Sequence, residues 1–285
     1  MYKQYDPETL EKLKKVELII LKDFKRVCQK NNIRWFAIGG TLIGSVRHHG
    51  FIPWDDDLDI GMLRSDYEKF VSVFENEMGD QYDLINPDTD PYYSSAVIKL
   101  MRKGTKFIPS YGMNSKAHYE IFMDIFVYDN YLDNKESQKQ IRQARILDML
   151  MVVRNWSHPE IPYTGVKKQM AQAVCSVAHG GMILFHITGK KLYKNFNKVA
   201  QRYNDVNTDE VTIFQDSRIH DSRIDRKELF PLKTGLFEDL EIPIPNKSMT
   251  LLKRYYGEDV MTLPPVEKRV NHAPELIDFG DALKH

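Results

Sequence analysis

The sequence predicts a mixed α+β fold, and three observations carry that prediction. IRWFAI at 33–38 is a short apolar run that ends in Gly39-Gly40 and leads into TLIGSVRHH, so strand, tight turn and helix follow one another. Two stretches, DDDLDIGM at 55–62 and YEIFMDIFVY at 119–128, alternate in polarity with the two-residue period of a half-buried strand. Between 134 and 204 the apolar residues instead recur at three and four, the period of a helix.

Taken in order, the first element is a long helix. Leu10, Leu13, Val16, Ile20, Phe24, Val27 and Cys28 form one stripe, which ends near Asn31-Asn32. The strand 33–38 follows, then the Gly-Gly turn and a helix with Thr41 near its cap. After the turn GFIP the acidic run opens a second strand. Ser65 and Glu68 have the spacing of a capping box for a helix whose apolar face is Tyr67, Phe70, Val71 and Phe74. Strands are expected at 95–101 and 119–128, and helices at 134–155, 165–187 and 189–204. From about 211 the pattern changes to short strands such as GLFEDLEIPIP, a helix at 247–256 and a Pro-Pro loop. This divides the chain into a catalytic core at 1–130, a helical insertion at 131–205 and a segment at 206–285 that packs back on the core.

Bulk composition excludes several classes. Forty basic residues balance forty acidic ones, so no global field draws the chain to nucleic acid, and any polyanion must be bound locally. Cys28 and Cys175 are the only cysteines and both fall in helical stretches, which argues against a disulfide framework or a zinc site. A reducing cytoplasm is the expected compartment, and the polar N-terminus MYKQYDPETLEKLKK does not read as a secretory signal. AQAVCSVAHGGMILFHI at 171–187 is too short and interrupted for a membrane span; it reads as a buried helix or as one lying on a membrane surface.

The chemistry is concentrated in HHGFIPWDDDLDIGM, where four carboxylates fall within five residues. Along a strand Asp57 and Asp59 share a face, with Leu58 and Ile60 behind them, and such a pair supplies the oxygen ligands that Mg²⁺ takes from a protein. Asp55 has the same parity; Asp56 points elsewhere. A calcium loop of the EF-hand type fails, because Ile60 stands where glycine is needed and Asp66 where a glutamate is needed. The DxD metal motif of nucleotide-sugar glycosyltransferases is a nearer rival. The upstream Gly39, Gly40 and Thr41 favour a different arrangement, in which backbone N–H groups at a helix start seat a phosphate. Asp124 sits mid-strand on the face of Phe122, Phe126 and Tyr128, which makes it a third metal-site acid on a neighbouring strand.

This order of parts resembles the nucleotidyltransferase fold of polymerase-beta-like enzymes. More closely, GGTLIGSVRHHGFIPWDDDLDIGMLRSDYEKF at 39–70 resembles the signature of the LicD family, with weaker likeness at 97–107, around Asp124 and at 255–272. The resemblance implies a nucleotidyltransferase-like core at 1–130. It also implies Mg²⁺-dependent transfer of a phospho-alcohol, typically phosphocholine from CDP-choline with release of CMP, to a sugar hydroxyl of a cell-surface glycan such as teichoic acid, lipopolysaccharide or capsule. Ethanolamine or ribitol phosphate are alternative head groups. A nucleotidyltransferase or glycosyltransferase using the same acids, and a non-catalytic binder of nucleotide or glycan, stay open as readings.

On that reading Asp57, Asp59 and Asp124 are the metal and catalytic residues, Asp124 as ligand or as base. Gly39, Gly40, Thr41, Arg47 and His48 seat phosphate, and Lys99, Arg102, Lys268 and Arg269 are further phosphate or cytidine contacts. A choline head group would be held by aromatic faces, with Phe122, Phe126 and Tyr128, or Tyr92 and Tyr93, as candidate walls. The remaining partners expected are a glycan or lipid-linked sugar acceptor and the inner face of a membrane, to which the enzyme binds peripherally.

Overall fold

The computed structural model describes residues 4–216, 221–269 and 271–284. A first helix, α1 (Pro7–Lys30), is capped by the Asp6 carboxylate, which accepts from the Thr9 N–H. Its stripe from Leu13 to Cys28 is buried as the spacing requires, and Phe24 packs edge-on against Trp35 and Phe70. Two charged residues, Lys14 and Glu17, are buried with that stripe.

The main sheet runs β1 (Phe36–Ala37), β2 (Asp59–Leu63), β6 (Phe122–Tyr131), β4 (Ile98–Arg102), β3 (Tyr82–Ile85), with β7 (Glu210–Ile213) and β8 (Ile224–Asp225) continuing from β6. β2 and β6 are parallel; every other pairing in the sheet is antiparallel. Along β6 the odd residues Met123, Ile125 and Val127 are fully buried while Phe122, Asp124 and Phe126 are half-buried, so the alternation in the sequence is the alternation of faces. This mixture of helices and a mixed sheet is the α+β class expected.

Several expected elements shift. The acidic strand begins at Asp59 rather than at 55, because β1 and β2 pair only from Ala37↔Ile60 and Phe36↔Gly61. The Ser65–Glu68 capping box does not form. The helix α3 (Arg64–Met78) has Leu63 at its N-cap with no side-chain cap, and its Asp66 instead accepts from the Arg34 backbone and guanidinium. Val71, assigned to the apolar face, is exposed. The helical middle consists of α4 (Lys135–Asn155), α5 (Gly165–Leu184) and α6 (Gly189–Ala200), with a small core of their own around Ile141, Met151, Leu192 and Phe196.

The C-terminal third returns to the first. The hairpin β9 (Lys233–Phe237) and β10 (Leu240–Ile244) puts Phe237 and Ile242 in the main core, and the helix Ser248–Tyr256 adds Leu252. β11 (Leu276–Asp278) pairs with β5 (Lys106–Ile108). The backbone N–H of His272 reaches the Asp56 carboxylate at 2.8 Å and the Tyr5 hydroxyl reaches it at 2.9 Å, so the segment around 272 and the one before α1 meet at the acidic run.

Candidate active site

Sheet register builds the centre of the site. Asp59 on β2 pairs with Asp124 on β6, and Asp124 pairs with Lys99 on β4, so two carboxylates and an ammonium stand in one row across three strands. The Lys99 Nζ donates to Asp124 Oδ1 at 2.6 Å and lies 3.2 Å from the centroid of the Phe122 ring. Asp55 and Asp57 precede the strand but keep its parity: Asp55, Asp57 and Asp59 are half-buried, whereas Asp56, Leu58 and Ile60 are buried.

Glycines make this arrangement sterically possible. The short helix α2 (Gly39–Ile43), continued by a wider turn of helix at Gly44–His48, starts beside the acids. Gly39 has φ +54°, and a Cβ on it would fall on the Asp59 carboxylate; one on Gly40 would fall on that of Asp55. The first N–H groups of α2 lack partners within the helix, as at any helix start, and lie against this acidic recess. Thr41 does not contribute a free hydroxyl. It is buried, and its Oγ1 accepts from the Asp59 N–H at 2.8 Å, tying helix to strand.

The carboxylates disturb one another. Burial, then the charges of Asp57 and Asp56, push Asp55 up to about 8 against the pull of His272 and Lys14. Burial, Asp56 and Asp124 raise Asp57 to about 6. Asp59 is held well above the usual range by burial, Asp57, Asp124 and Asp55. Burial raises Asp124 as well, opposed by Lys99. Asp56 has a separate structural part: it accepts from the Tyr5 hydroxyl at 2.9 Å and pairs with His272, whose own titration moves up in response.

Such a donor set fits a hard divalent cation, since clustered carboxylate oxygens at half-buried positions are what Mg²⁺ takes from a protein. The expectation that one ion is held by all three acids is not matched by a preformed triplet. Among the described residues the His, Cys, Asp or Glu triplet with ligating atoms all within 4.8 Å of one another is Asp83, His118 and Glu120, at a different part of the sheet. Lys99 draws the Asp124 carboxylate to itself, which leaves Asp57 and Asp59 as the pair best disposed to ligate.

Other expected residues fall into two groups. Arg47 is engaged with the C-terminal segment, its Nη1 donating to the Val260 carbonyl at 2.7 Å and its Nε to His48. The His48 ring stands edge-on to Trp54, over which the Arg269 guanidinium lies at 4.6 Å, so these residues line the mouth of the acidic loop as packing partners. Arg102 is not brought to the site. It has the opposite strand parity to Lys99, donates to Gln81 and lies over Tyr82. Lys268 falls in the short helical turn Val266–Lys268, where it is exposed.

Sequence reasoning missed the α1 contribution. The Lys14 ammonium donates to the carbonyls of Ile52 and Pro53 and supports the loop before the acids, while Glu17, raised by burial and by Asp57, Asp56 and Asp55, lies beneath them. Their signal was present, since 13, 14, 17, 20 and 21 share one helix face. A cavity of about 400 Å³ opens beside Asp59 and Gly39. Phe126 and Tyr128 wall it, together with Tyr255 and Tyr256, which the sequence did not single out. Phe122, Tyr92 and Tyr93 are not among its walls; Phe122 lies under Lys99, and Tyr93 is buried with its hydroxyl on the Val97 carbonyl.

Residues 32–122 match the family described as LicD/FKTN/FKRP, nucleotidyltransferase domain. The chain is 29% identical over 269 residues to the lipopolysaccharide cholinephosphotransferase LicD of Haemophilus influenzae, covering 93% of this chain and 96% of that protein. It is 25% identical over 115 residues to the mouse ribitol 5-phosphate transferase FKRP, 39% of this chain and 22% of that one. An uncharacterized protein of Rickettsia prowazekii is 51% identical over 47 residues, 16% of this chain and 18% of that one.

Proposed function

Because this chain belongs to the LicD family, through a nucleotidyltransferase domain at residues 32–122, we propose that it is a transferase that moves a phospho-alcohol from a cytidine diphosphate donor to a sugar hydroxyl of a cell-surface glycan. Phosphocholine from CDP-choline is the first donor to test and lipopolysaccharide the first acceptor, because the relative similar over nearly its full length carries a lipopolysaccharide cholinephosphotransferase name. A ribitol 5-phosphate transferase among the relatives keeps the head group a separate question.

The observation that carries this reading is the row Asp59, Asp124, Lys99, with Asp57 beside it. Asp57 and Asp59 would hold Mg²⁺ or a similar cation. When bound, such an ion offsets the negative charge of the diphosphate and of the departing CMP. Asp124, whose anionic form the Lys99 ammonium favours against burial, accepts the proton of the attacking hydroxyl. Lys99 shares its remaining donors with the transferring phosphate, and the N–H groups at the start of α2 hold a phosphate oxygen. Phe126, Tyr128, Tyr255 and Tyr256 give the neighbouring cavity aromatic faces suited to a quaternary ammonium.

Incubation of the purified chain with CDP-choline, Mg²⁺ and a glycan acceptor tests this. Free CMP appearing with acceptor-bound phosphocholine is the expected result. Cytidylate attached to the acceptor would instead make the chain a nucleotidyltransferase, and no turnover of any cytidine diphosphate-alcohol would remove the transferase reading.

A further inference from the structure

The helix α5 is amphipathic the wrong way round for a helix of a closed core. Its inner face, turned to α4, carries small and polar residues: the Ser176 hydroxyl donates to the carbonyls of Ser157 and Gln172, and His179 Nδ1 meets the Val153 carbonyl at 2.9 Å. Within the helix only Met182 is buried. Its outer face carries Val166, Met170, Val174 and Val177, and Leu184 with Phe185 closes the row; these six are 66–77% exposed. Spacings of four, four, three and seven keep Val166 to Leu184 on one side of the helix.

Charge singles out the same segment. The chain as a whole is neutral, yet no Asp or Glu occurs between Glu160 and Asp205, while six lysines and Arg202 do. Lys167 and Lys168 stand at the start of α5, and Lys190 and Lys191 begin α6; all four are exposed. An apolar row with lysines at both ends matches a surface that is anionic on top and apolar beneath, where long lysine stems reach back to the head groups. No single helix among the described residues is long and apolar enough to cross a membrane, and α5 and α6 meet at a 103° bend. A helix lying in the interface needs neither length nor continuity.

We propose that the outer face of α5 docks the protein on an anionic lipid bilayer. Val166, Met170, Val174, Val177, Leu184 and Phe185 enter the head-group boundary, and Lys167, Lys168, Lys190 and Lys191 hold the surface charge.

Flotation of the purified chain with phosphatidylglycerol-containing vesicles, and with pure phosphatidylcholine vesicles, tests the proposal. The protein should float with the anionic vesicles, less at high salt and little with the neutral ones. Val174→Asp with Val177→Asp should cut the bound fraction about tenfold or more, and Lys167→Glu with Lys168→Glu should cut it several-fold. All four side chains project into solvent, so melting temperature should be unchanged, which separates lost docking from lost folding. Failure to float with anionic vesicles overturns the proposal, as does flotation indifferent to the aspartates. A dimer in solution that the aspartate pair converts to monomer, without any flotation of the wild type, would assign the face to a second copy of the chain.

Discussion

Asp59 and Asp124 are register partners on adjacent parallel strands, two carboxylates side by side where a sheet ordinarily avoids like charge. Their mutual repulsion works against the fold, and a local conflict of this kind is what a functional site carries. Replacing Asp59 by Asn should therefore have opposite effects on two measurements. CMP release should fall about a thousandfold, roughly 4 kcal/mol of lost transition-state stabilisation. The melting temperature at pH 8 should hold or rise, because a repelling charge has been removed. A variant that melts early and turns over normally would contradict both.

Lys99 sets the charge of Asp124. Both side chains are 15% exposed, so removal of the ammonium leaves a carboxylate with little solvent to replace it. Lys99→Met is expected to cost about 3 kcal/mol at neutral pH. Without its partner Asp124 titrates higher still, and a group with a raised folded-state pKa destabilises the fold as pH rises. The deficit should thus be larger at pH 8 than at pH 5. Adding Asp124→Asn should recover most of the stability and none of the activity. Urea unfolding of the three variants at two pH values reads this directly.

Stability against pH should slope in a stated direction. Asp55 and Asp57 titrate at about 8 and about 6 in the folded chain and near 4 when unfolded. The folded state therefore binds more protons between those values, and the stability this represents, complete below about pH 4, is lost as pH rises through 6 and 8. His272 is also raised, so its pairing with Asp56 is complete below its unfolded value and is lost at higher pH, in the same direction. Melting temperature should decline from pH 5 to pH 8.5. Millimolar Mg²⁺ should raise it, more at pH 8 than at pH 5, because protons and cation compete for the same oxygens. A Mg²⁺ response unchanged in Asp57→Asn would remove that residue from the ligand pair.

These acids were legible in the sequence because a strand's two-residue period is strict: a carboxylate in an apolar alternation announces which face it occupies. Gly39 was legible for its backbone freedom, although the sequence could not show that the missing Cβ makes room for Asp59 as well as for a ligand. What sequence could not give was pairing between distant segments. That Lys99 faces Asp124 depends on β4 lying antiparallel to β6, and that Arg47 is taken up by the Val260 carbonyl depends on where the C-terminal segment returns. Arg102 shows the same limit from the other side. Three residues from Lys99 on the same strand, it has the opposite parity and lands with Gln81. Glu17 shows the limit too: its place on the α1 stripe is legible, but not that the acidic segment folds over that stripe.

A control from outside the site separates structural charge from functional charge. Arg64, at the start of α3, donates to both oxygens of Asp129 on β6 at 2.8 and 2.7 Å, and Asn204, beyond α6, donates to the same carboxylate at 2.7 Å. The two ion-paired side chains are 11% and 1% exposed, and every oxygen of Asp129 has a donor. Unlike the Asp57–Asp59 cluster, this group is satisfied, so its loss should be felt in folding alone. Asp129→Ala leaves the Arg64 guanidinium buried without a counter-charge, at a cost of about 3–5 kcal/mol. Turnover per folded molecule should stay within about twofold of wild type, since no acid of the candidate site is touched. Denaturant midpoint and active-site-normalised CMP release on the same preparation decide it: a catalytic loss exceeding the loss of folded protein would make Asp129 part of the site after all.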